Sequence, residues 1–126
     1  MNLALYIGLA GAAGSMSRYA LGTWLSGVFV GKTVLPVGTL AVNILGSLLM
    51  GLVVALFVSR GDVDSRTRIV LTVGFLGGFT TYSSFALETV GLWEGKSATI
   101  AGAYVFLTLL GGGAACVAGL TIGRRF

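Results

Sequence analysis

GFLGGFTTYSSF, residues 74–85, is the stretch of this sequence that decides the fold. It lies within an apolar segment, yet three of its twelve residues are glycines and four are serines or threonines. Each glycine inside a helix costs about 1 kcal/mol relative to alanine, and β-branched threonine loses side-chain freedom there. The stretch therefore predicts either a broken helix or an unbroken helix whose glycine-rich face packs closely on another helix.

The composition indicates the solvent in which this stretch lies. The chain has 126 residues, of which 56% are hydrophobic and only 10% are charged, and its mean hydropathy is +0.97. Soluble domains are about one quarter charged, so this composition indicates an integral membrane protein. Irregular backbone inside a bilayer is tolerated only where it is buried in protein or lines a polar pathway. A broken helix at residues 74–85 would therefore bind or conduct an ion.

Four apolar segments, each near the length of about 20 residues that a spanning helix needs, fill the chain. They lie at residues 3–25, 37–59, 69–93 and 98–123, which predicts one all-α transmembrane domain over residues 1–126. The third helix is predicted to break at Gly77–Thr80. The first apolar segment runs on into the body of the protein and does not resemble a cleavable leader. The loop Arg60–Arg68 and the C-terminus hold five arginines against three cations elsewhere, a weak bias that leaves both orientations open.

Several function classes are excluded by missing residues. The chain has no histidine and one cysteine, Cys116, so imidazole metal sites and an intrachain disulfide are excluded. It has no P-loop, no paired carboxylates in a span and no nucleophile with a base, and it is therefore predicted not to be an enzyme. The net charge of +4 suggests contact with anionic lipid headgroups rather than with nucleic acid.

Polar side chains inside the spans have two readings each. Arg18 either extends to the membrane interface or stands in a water-filled mouth. Asn43 either bonds helices together or faces an aqueous path, where its N–H donors suit an anion. Glu88 is either functional or an acid near the interface that pairs with Arg18 or a hydroxyl. Tyr104 and Thr108 share one helix face, a spacing that favours helix contacts over a pathway.

Three motifs occur in a fixed order along the chain. They are Gly14…Arg18-Tyr19, Gly38-Thr39-Leu40…Val42-Asn43…Gly46, and Gly74-Phe75-Leu76-Gly77-Gly78…Thr80-Thr81-Tyr82-Ser83-Ser84-Phe85…Glu88. Together they resemble the Fluc (CrcB) family of small fluoride channels. The resemblance covers the whole chain in length and in number of spans, and the third motif is its most specific part.

The resemblance implies a passive, fluoride-selective channel that exports fluoride from the cytoplasm across the bacterial inner membrane. It implies a dual-topology homodimer of antiparallel subunits with two pores. It also implies a central structural sodium ion, bound by the backbone carbonyls of Gly77 and Thr80 from both subunits. Arg18 and Glu88 are assigned to the vestibule or to gating. The residues that would line the pores are Asn43, Tyr82, Phe85, Ser83, Ser84, Thr39, Tyr104 and Thr108.

The residue types agree with this chemistry. Fluoride holds water tightly, so a pore must replace its hydration with convergent amide and hydroxyl donors, and aromatic rings present positive edges to an anion. Two positions depart from the family, which usually has phenylalanine at Tyr82 and often serine at Gly112. The alternative hypotheses are a small secondary transporter coupled to protons through Glu88, and a scaffold whose glycines only pack helices.

Overall fold

The computed structural model describes residues 2–61 and 65–126, and all regular secondary structure in these residues is helical. The elements are α1 (Leu3–Phe29), α2 (Val37–Arg60), α3 (Ser65–Ile69), a π-helical segment (Val70–Leu76), α4 (Gly77–Phe79), α5 (Tyr82–Gly95) and α6 (Ala98–Gly123). The prediction of an all-α chain is confirmed. Of the charged loop predicted between the second and third spans, residues 62–64 lie outside the described residues.

Three helical stretches are long and apolar enough to cross a membrane. They are Val37–Ser59, Arg66–Gly95 and Ala98–Gly123. Helix α1 has 27 residues, which is long enough, but Ser15, Ser17 and Arg18 lower its hydropathy and it is not among the three. The chain is therefore a multi-pass membrane protein, and a fourth span at α1 stays a prediction.

The helix ends follow local capping chemistry. Asn2 caps α1, since its Oδ1 accepts a hydrogen bond from the Ala4 amide at 3.2 Å. Pro36, which lacks an N–H, immediately precedes α2 and has no side-chain capping bond. Gly61 ends α2 in the left-handed conformation with φ of 59°, where a side chain would be strained. Ser97 caps α6 by accepting a hydrogen bond from the Ile100 amide at 3.2 Å.

Glycines bring α1 against the first half of the third span, Ser65–Phe79. A Cβ atom on Gly14 would overlap the carbonyl of Phe75, and one on Gly78 would overlap the carbonyl of Gly11. Helices α2 and α6 approach equally closely, since a Cβ on Gly119 would overlap the Leu48 carbonyl. Glycines therefore allow close packing in both helix pairs.

We expect Gly14→Ala to lower the free energy of unfolding by about 1–3 kcal/mol, the usual cost of overpacking. The backbone of Phe75 and Phe79 surrounds this position, and backbone cannot move aside as a flexible side chain can. Gly8→Ala on the same helix is the matched control, because the methyl group added there would have no neighbour within 4 Å. Thermal unfolding in detergent measures both variants, and equal stability of the two would contradict the packing.

The centre of the bundle is small and the exterior is apolar. Phe85, Leu92, Ala101 and Tyr104 form the buried cluster between α5 and α6. Large apolar side chains on every long helix remain exposed, as expected for a surface that faces lipid or a second subunit. The interior thus consists largely of the residues that surround the helix break.

Candidate ion site at the helix break

The third span breaks at Thr80 and Thr81, where two residues take extended conformations. Thr80 has φ −86° and ψ 159°, and Thr81 has φ −147° and ψ 122°. The predicted position of the break, Gly77–Thr80, is therefore wrong in part, because Gly77–Phe79 is still helical. The physical reason is that Gly78 is held by packing against Gly11 of α1, whereas β-branched threonine favours extended backbone.

Asn43 on α2 supplies both hydrogen-bond partners for the backbone of Thr81. The Thr81 amide donates to Asn43 Oδ1 at 2.8 Å, and Asn43 Nδ2 donates to the Thr81 carbonyl at 2.9 Å. The N–H and the carbonyl of Thr81 both lie at the break, where helical bonding is interrupted. Asn43 therefore bonds helices together, which is one of its two readings, and it pairs the backbone that the break exposes.

Thr81 also caps helix α5. Its Oγ1 accepts a hydrogen bond from the Ser84 amide at 3.2 Å and donates to Ser84 Oγ at 3.1 Å. Ser83 Oγ lies 3.4 Å from the same hydroxyl. The amides of Tyr82 and Ser83 open the helix and have no intrahelical acceptor, since the first turn of a helix always lacks them. Such amides, with the helix dipole, favour an anion at this end of α5.

The break leaves four consecutive backbone carbonyls, at residues 77–80, without their helical donors, and those of Gly77 and Thr80 are among them. The Thr81 amide, which would bond to Gly77 O in an unbroken helix, donates to Asn43. The Ser84 amide, which would bond to Thr80 O, donates to Thr81 Oγ1. These carbonyls belong to the two residues predicted to hold sodium, and oxygen ligands suit a hard cation. Within the described part of the chain, no cluster of three or more metal-ligating side chains offers a competing site.

A cavity of about 310 Å³ opens on one side of the break. Four of the predicted pore residues line it, and these are Asn43, Tyr82, Phe85 and Thr108. The rings of Tyr82 and Phe85 lie 5.8 Å apart at 56°, and those of Phe85 and Tyr104 lie 5.4 Å apart at 51°. These tilted rings form a row from the surface, where Tyr82 is 79% exposed, to Tyr104, which is fully buried.

A second cavity, of about 300 Å³, opens on the other side of Thr81. Three predicted site residues line it, namely Arg18, Thr39 and Ser84. Arg18 is half-buried there, so its guanidinium belongs to a cavity rather than only to the interface. Thr81 lines both cavities and therefore lies between them.

Glu88 is held by two hydroxyls from other helices. Thr39 Oγ1 on α2 donates to Glu88 Oε1 at 2.7 Å, and the Tyr104 hydroxyl on α6 donates to Oε2 at 2.7 Å. This is the reading in which the acid pairs with a hydroxyl. Thr108 instead donates to the Tyr104 carbonyl of its own helix at 2.8 Å. Tyr104 therefore contacts both the Phe85 ring, through its own ring, and the Glu88 carboxylate, through its hydroxyl.

We expect Tyr104→Phe to lower the free energy of unfolding by about 1.5–3 kcal/mol, the range for a hydrogen bond to a charged group. The change keeps the buried ring and removes only the hydroxyl that donates to Glu88. Tyr19→Phe is the control, because Tyr19 is exposed on α1. Denaturation followed by circular dichroism measures both variants, and an unchanged Tyr104→Phe protein would mean that this bond contributes nothing to stability.

Some site residues were not predicted. Thr81 is the chief example, because it is predicted only as part of a motif and is given no role of its own. The pattern Thr81-x-x-Ser84 ahead of a helix is an N-cap signal and was sufficient to find it. Ser47 and Cys116 also line the first cavity, but nothing in their local sequence predicts this. A Cβ on Gly112 would lie 3.4 Å from Ser47 Oγ, so the serine common in the family at this position would stand beside that hydroxyl.

The broken helix and the apolar exterior define a class of protein, the polytopic membrane proteins with a discontinuous helix. The sequence model described as "CrcB-like protein, Camphor Resistance (CrcB)" matches residues 5–120. The chain belongs to the CrcB family, and the resemblance read from its motifs is confirmed.

Curated relatives match over almost the whole chain. A protein of Agrobacterium fabrum is 43% identical over 125 residues, which are 99% of this chain and 98% of the relative. One of Paracoccus denitrificans is 46% identical over 121 residues, 95% and 93% of the two chains. One of Pseudomonas syringae pv. tomato is 42% identical over 120 residues, 95% of each. All three are named "Fluoride-specific ion channel FluC". Ion channels are not enzymes, in agreement with the prediction that this chain is not one.

Proposed function

We propose that this chain is a passive, fluoride-selective channel. The observation that carries the proposal is a cavity at the helix break that is lined by the Asn43 carboxamide, by hydroxyl side chains and by the rings of Tyr82 and Phe85. Relatives above 40% identity carry the name of a fluoride-specific channel, which supports fluoride as the ion. A passive pore lets fluoride leave a cell whenever its internal concentration is the higher one, and export across the bacterial inner membrane is the direction that we infer.

Fluoride would enter through the Arg18 cavity and continue along the break. The guanidinium of Arg18 attracts the anion, and the hydroxyls of Thr39 and Ser84 replace part of its water. On the other side of Thr81, Asn43 and the ring edges of Tyr82 and Phe85 continue the path. Because these donors are neutral and dispersed, the ion binds weakly enough at each site to leave again.

Glu88 belongs to the same path as a fixed acceptor. Its two oxygens orient the hydroxyls of Thr39 and Tyr104, so that their donor hydrogens are turned toward the carboxylate. Fluoride would compete with the carboxylate for these donors. In this proposal Glu88 thus weakens fluoride binding near its own position, which helps the ion to move on.

Two antiparallel copies of the chain would form the working channel. Gly77 and Tyr82 are exposed on the single chain although both flank the break, and a second copy would cover them. The four carbonyls of Gly77 and Thr80 from the two copies would then hold one structural sodium ion. Each copy would contribute its own break to one of two pores, within the lipid bilayer.

The alternative, a transporter coupled to protons through Glu88, makes a different prediction. We expect Glu88→Gln to keep fluoride efflux within about tenfold of wild type, since glutamine retains one acceptor oxygen and leaves the path open. Efflux from liposomes is measured with and without a protonophore. Persistence of the flux after the proton gradient has collapsed supports the channel.

The opposite result is equally clear. If efflux requires a proton gradient in the wild type and disappears in Glu88→Gln, the protein is a coupled transporter. Glu94→Gln is the matched control, because Glu94 is exposed near the end of α5, away from both cavities.

A further inference from the structure

The contact between Asn43 and Thr81 is more specific than ordinary contact between helices. The carboxamide pairs with one residue through both of its ends, at 2.8 Å and 2.9 Å, as a peptide group would in a β-ladder. No other uncharged side chain of similar size provides both a donor and an acceptor in this geometry. Aspartate retains only the acceptor, and leucine of similar volume retains neither.

The amide of Thr81 has two possible acceptors. In a continuous helix it would donate to the Gly77 carbonyl, four residues earlier. In this structure it donates to Asn43 Oδ1 instead, while the preceding amide of Thr80 keeps its helical bond to Leu76 O at 3.0 Å. The helix therefore ends at the first amide that Asn43 captures.

We propose that Asn43 is the positioning residue that fixes the break. By binding both backbone groups of Thr81 it holds this residue extended, and it thereby keeps the Gly77 carbonyl free for a cation. This deepens the proposed function and rests on it where sodium is concerned. Since Asn43 also lines the first cavity, the anion path and the cation site share one side chain on α2.

The proposal separates two roles that a simple Asn43 variant would confuse. A variant without the amide loses an anion donor as well as the bonds to Thr81. Replacing the backbone amide of Thr81 by an ester, with the α-hydroxy analogue of threonine introduced by nonsense suppression, removes the N–H donor and also makes the Thr80 carbonyl of the same peptide unit a weaker ligand. The Asn43 side chain stays available to fluoride, and the side chain of Thr81 is unchanged.

The same ester at Thr89 is the matched control. Thr89 is a threonine within α5, so the ester there removes one ordinary helical hydrogen bond and leaves the break intact. Melting temperature is measured against sodium concentration, with N-methylglucamine as the replacement cation. We expect the ester at Thr81, and also Asn43→Ala, which leaves the Thr80 carbonyl unaltered, to raise the sodium concentration for half-maximal stabilisation by about three- to tenfold, the equivalent of one lost hydrogen bond. The ester at Thr89 leaves that concentration unchanged.

A second readout does not depend on sodium. The ¹³Cα and ¹³Cβ chemical shifts of Thr81 report its backbone conformation, and we expect Asn43→Ala to move them out of the extended range. Unchanged shifts in Asn43→Ala, or an unchanged sodium midpoint in that variant, would overturn the positioning role. If the wild type conducts no fluoride, the proposed function fails, while the shifts still decide whether Asn43 fixes the break.

Discussion

Asn43→Asp is expected to lower fluoride efflux by about two to three orders of magnitude, because a fixed charge about 4 Å from the ion costs about 4 kcal/mol at an effective dielectric constant of 20. The carboxylate repels the anion in the first cavity and has no N–H to offer it. It also cannot donate to the Thr81 carbonyl, so one of the two bonds at the break is lost.

The control for this variant is Asn2→Asp. Asn2 caps α1 with its side-chain oxygen, which aspartate retains, and it lies at the exposed N-terminus. The two variants carry the same change of charge, so a general effect of charge on insertion or folding affects both. Efflux from liposomes distinguishes them. Fluoride flux of Asn43→Asp near the wild-type value would exclude Asn43 from the anion path.

Phe85→Ile has the second largest expected effect. Phe85 is only 8% exposed and its ring lies between those of Tyr82 and Tyr104. Each tilted ring pair contributes about 0.5–1.5 kcal/mol beyond burial, so losing both is expected to lower efflux by about ten- to a hundredfold. Isoleucine fills much of the space but presents no positive ring edge to an anion.

Phe106→Ile is its control on α6. Phe106 is exposed on the apolar exterior, outside the cavity at the break, and the same substitution there should leave fluoride efflux unchanged. Both proteins are first compared by size-exclusion chromatography and circular dichroism. A folded Phe85→Ile protein with full efflux would support the scaffold hypothesis, in which these residues only pack helices.

The sequence predicted the discontinuity but misplaced its centre, for a reason that lies in tertiary structure. Glycine is a poor helix former, and the run at Gly77 and Gly78 therefore indicated the break. Packing of Gly78 on α1 holds the end of α4 helical, and the break falls on the threonines. Asn43, 38 residues away, supplies the hydrogen-bond partners of Thr81. No local pattern contains that information.

The polar residues of the spans show the same division. The sequence indicated which residues belong to the site, because Asn43 and Glu88 are polar residues within apolar segments. Their partners were not, since Glu88 bonds to Thr39 from 49 residues away and to Tyr104 from 16 residues away. The π-helical segment Val70–Leu76 was not predicted either, and its position directly before the glycine pair has no local sequence signal. The cap at Thr81 was not predicted, although a threonine directly before a helix is a local signal that the sequence does contain.

The measurement that tests the central claim most directly is efflux of fluoride and of chloride from the same liposomes, each followed with its own electrode. The account predicts rapid fluoride efflux through the purified protein, with chloride retained until detergent is added. Chloride efflux as fast as that of fluoride, or no fluoride efflux from a folded protein, would contradict it. In the second case Tyr82→Phe is the first variant to test, because the tyrosine hydroxyl stands beside Phe85 in the proposed path.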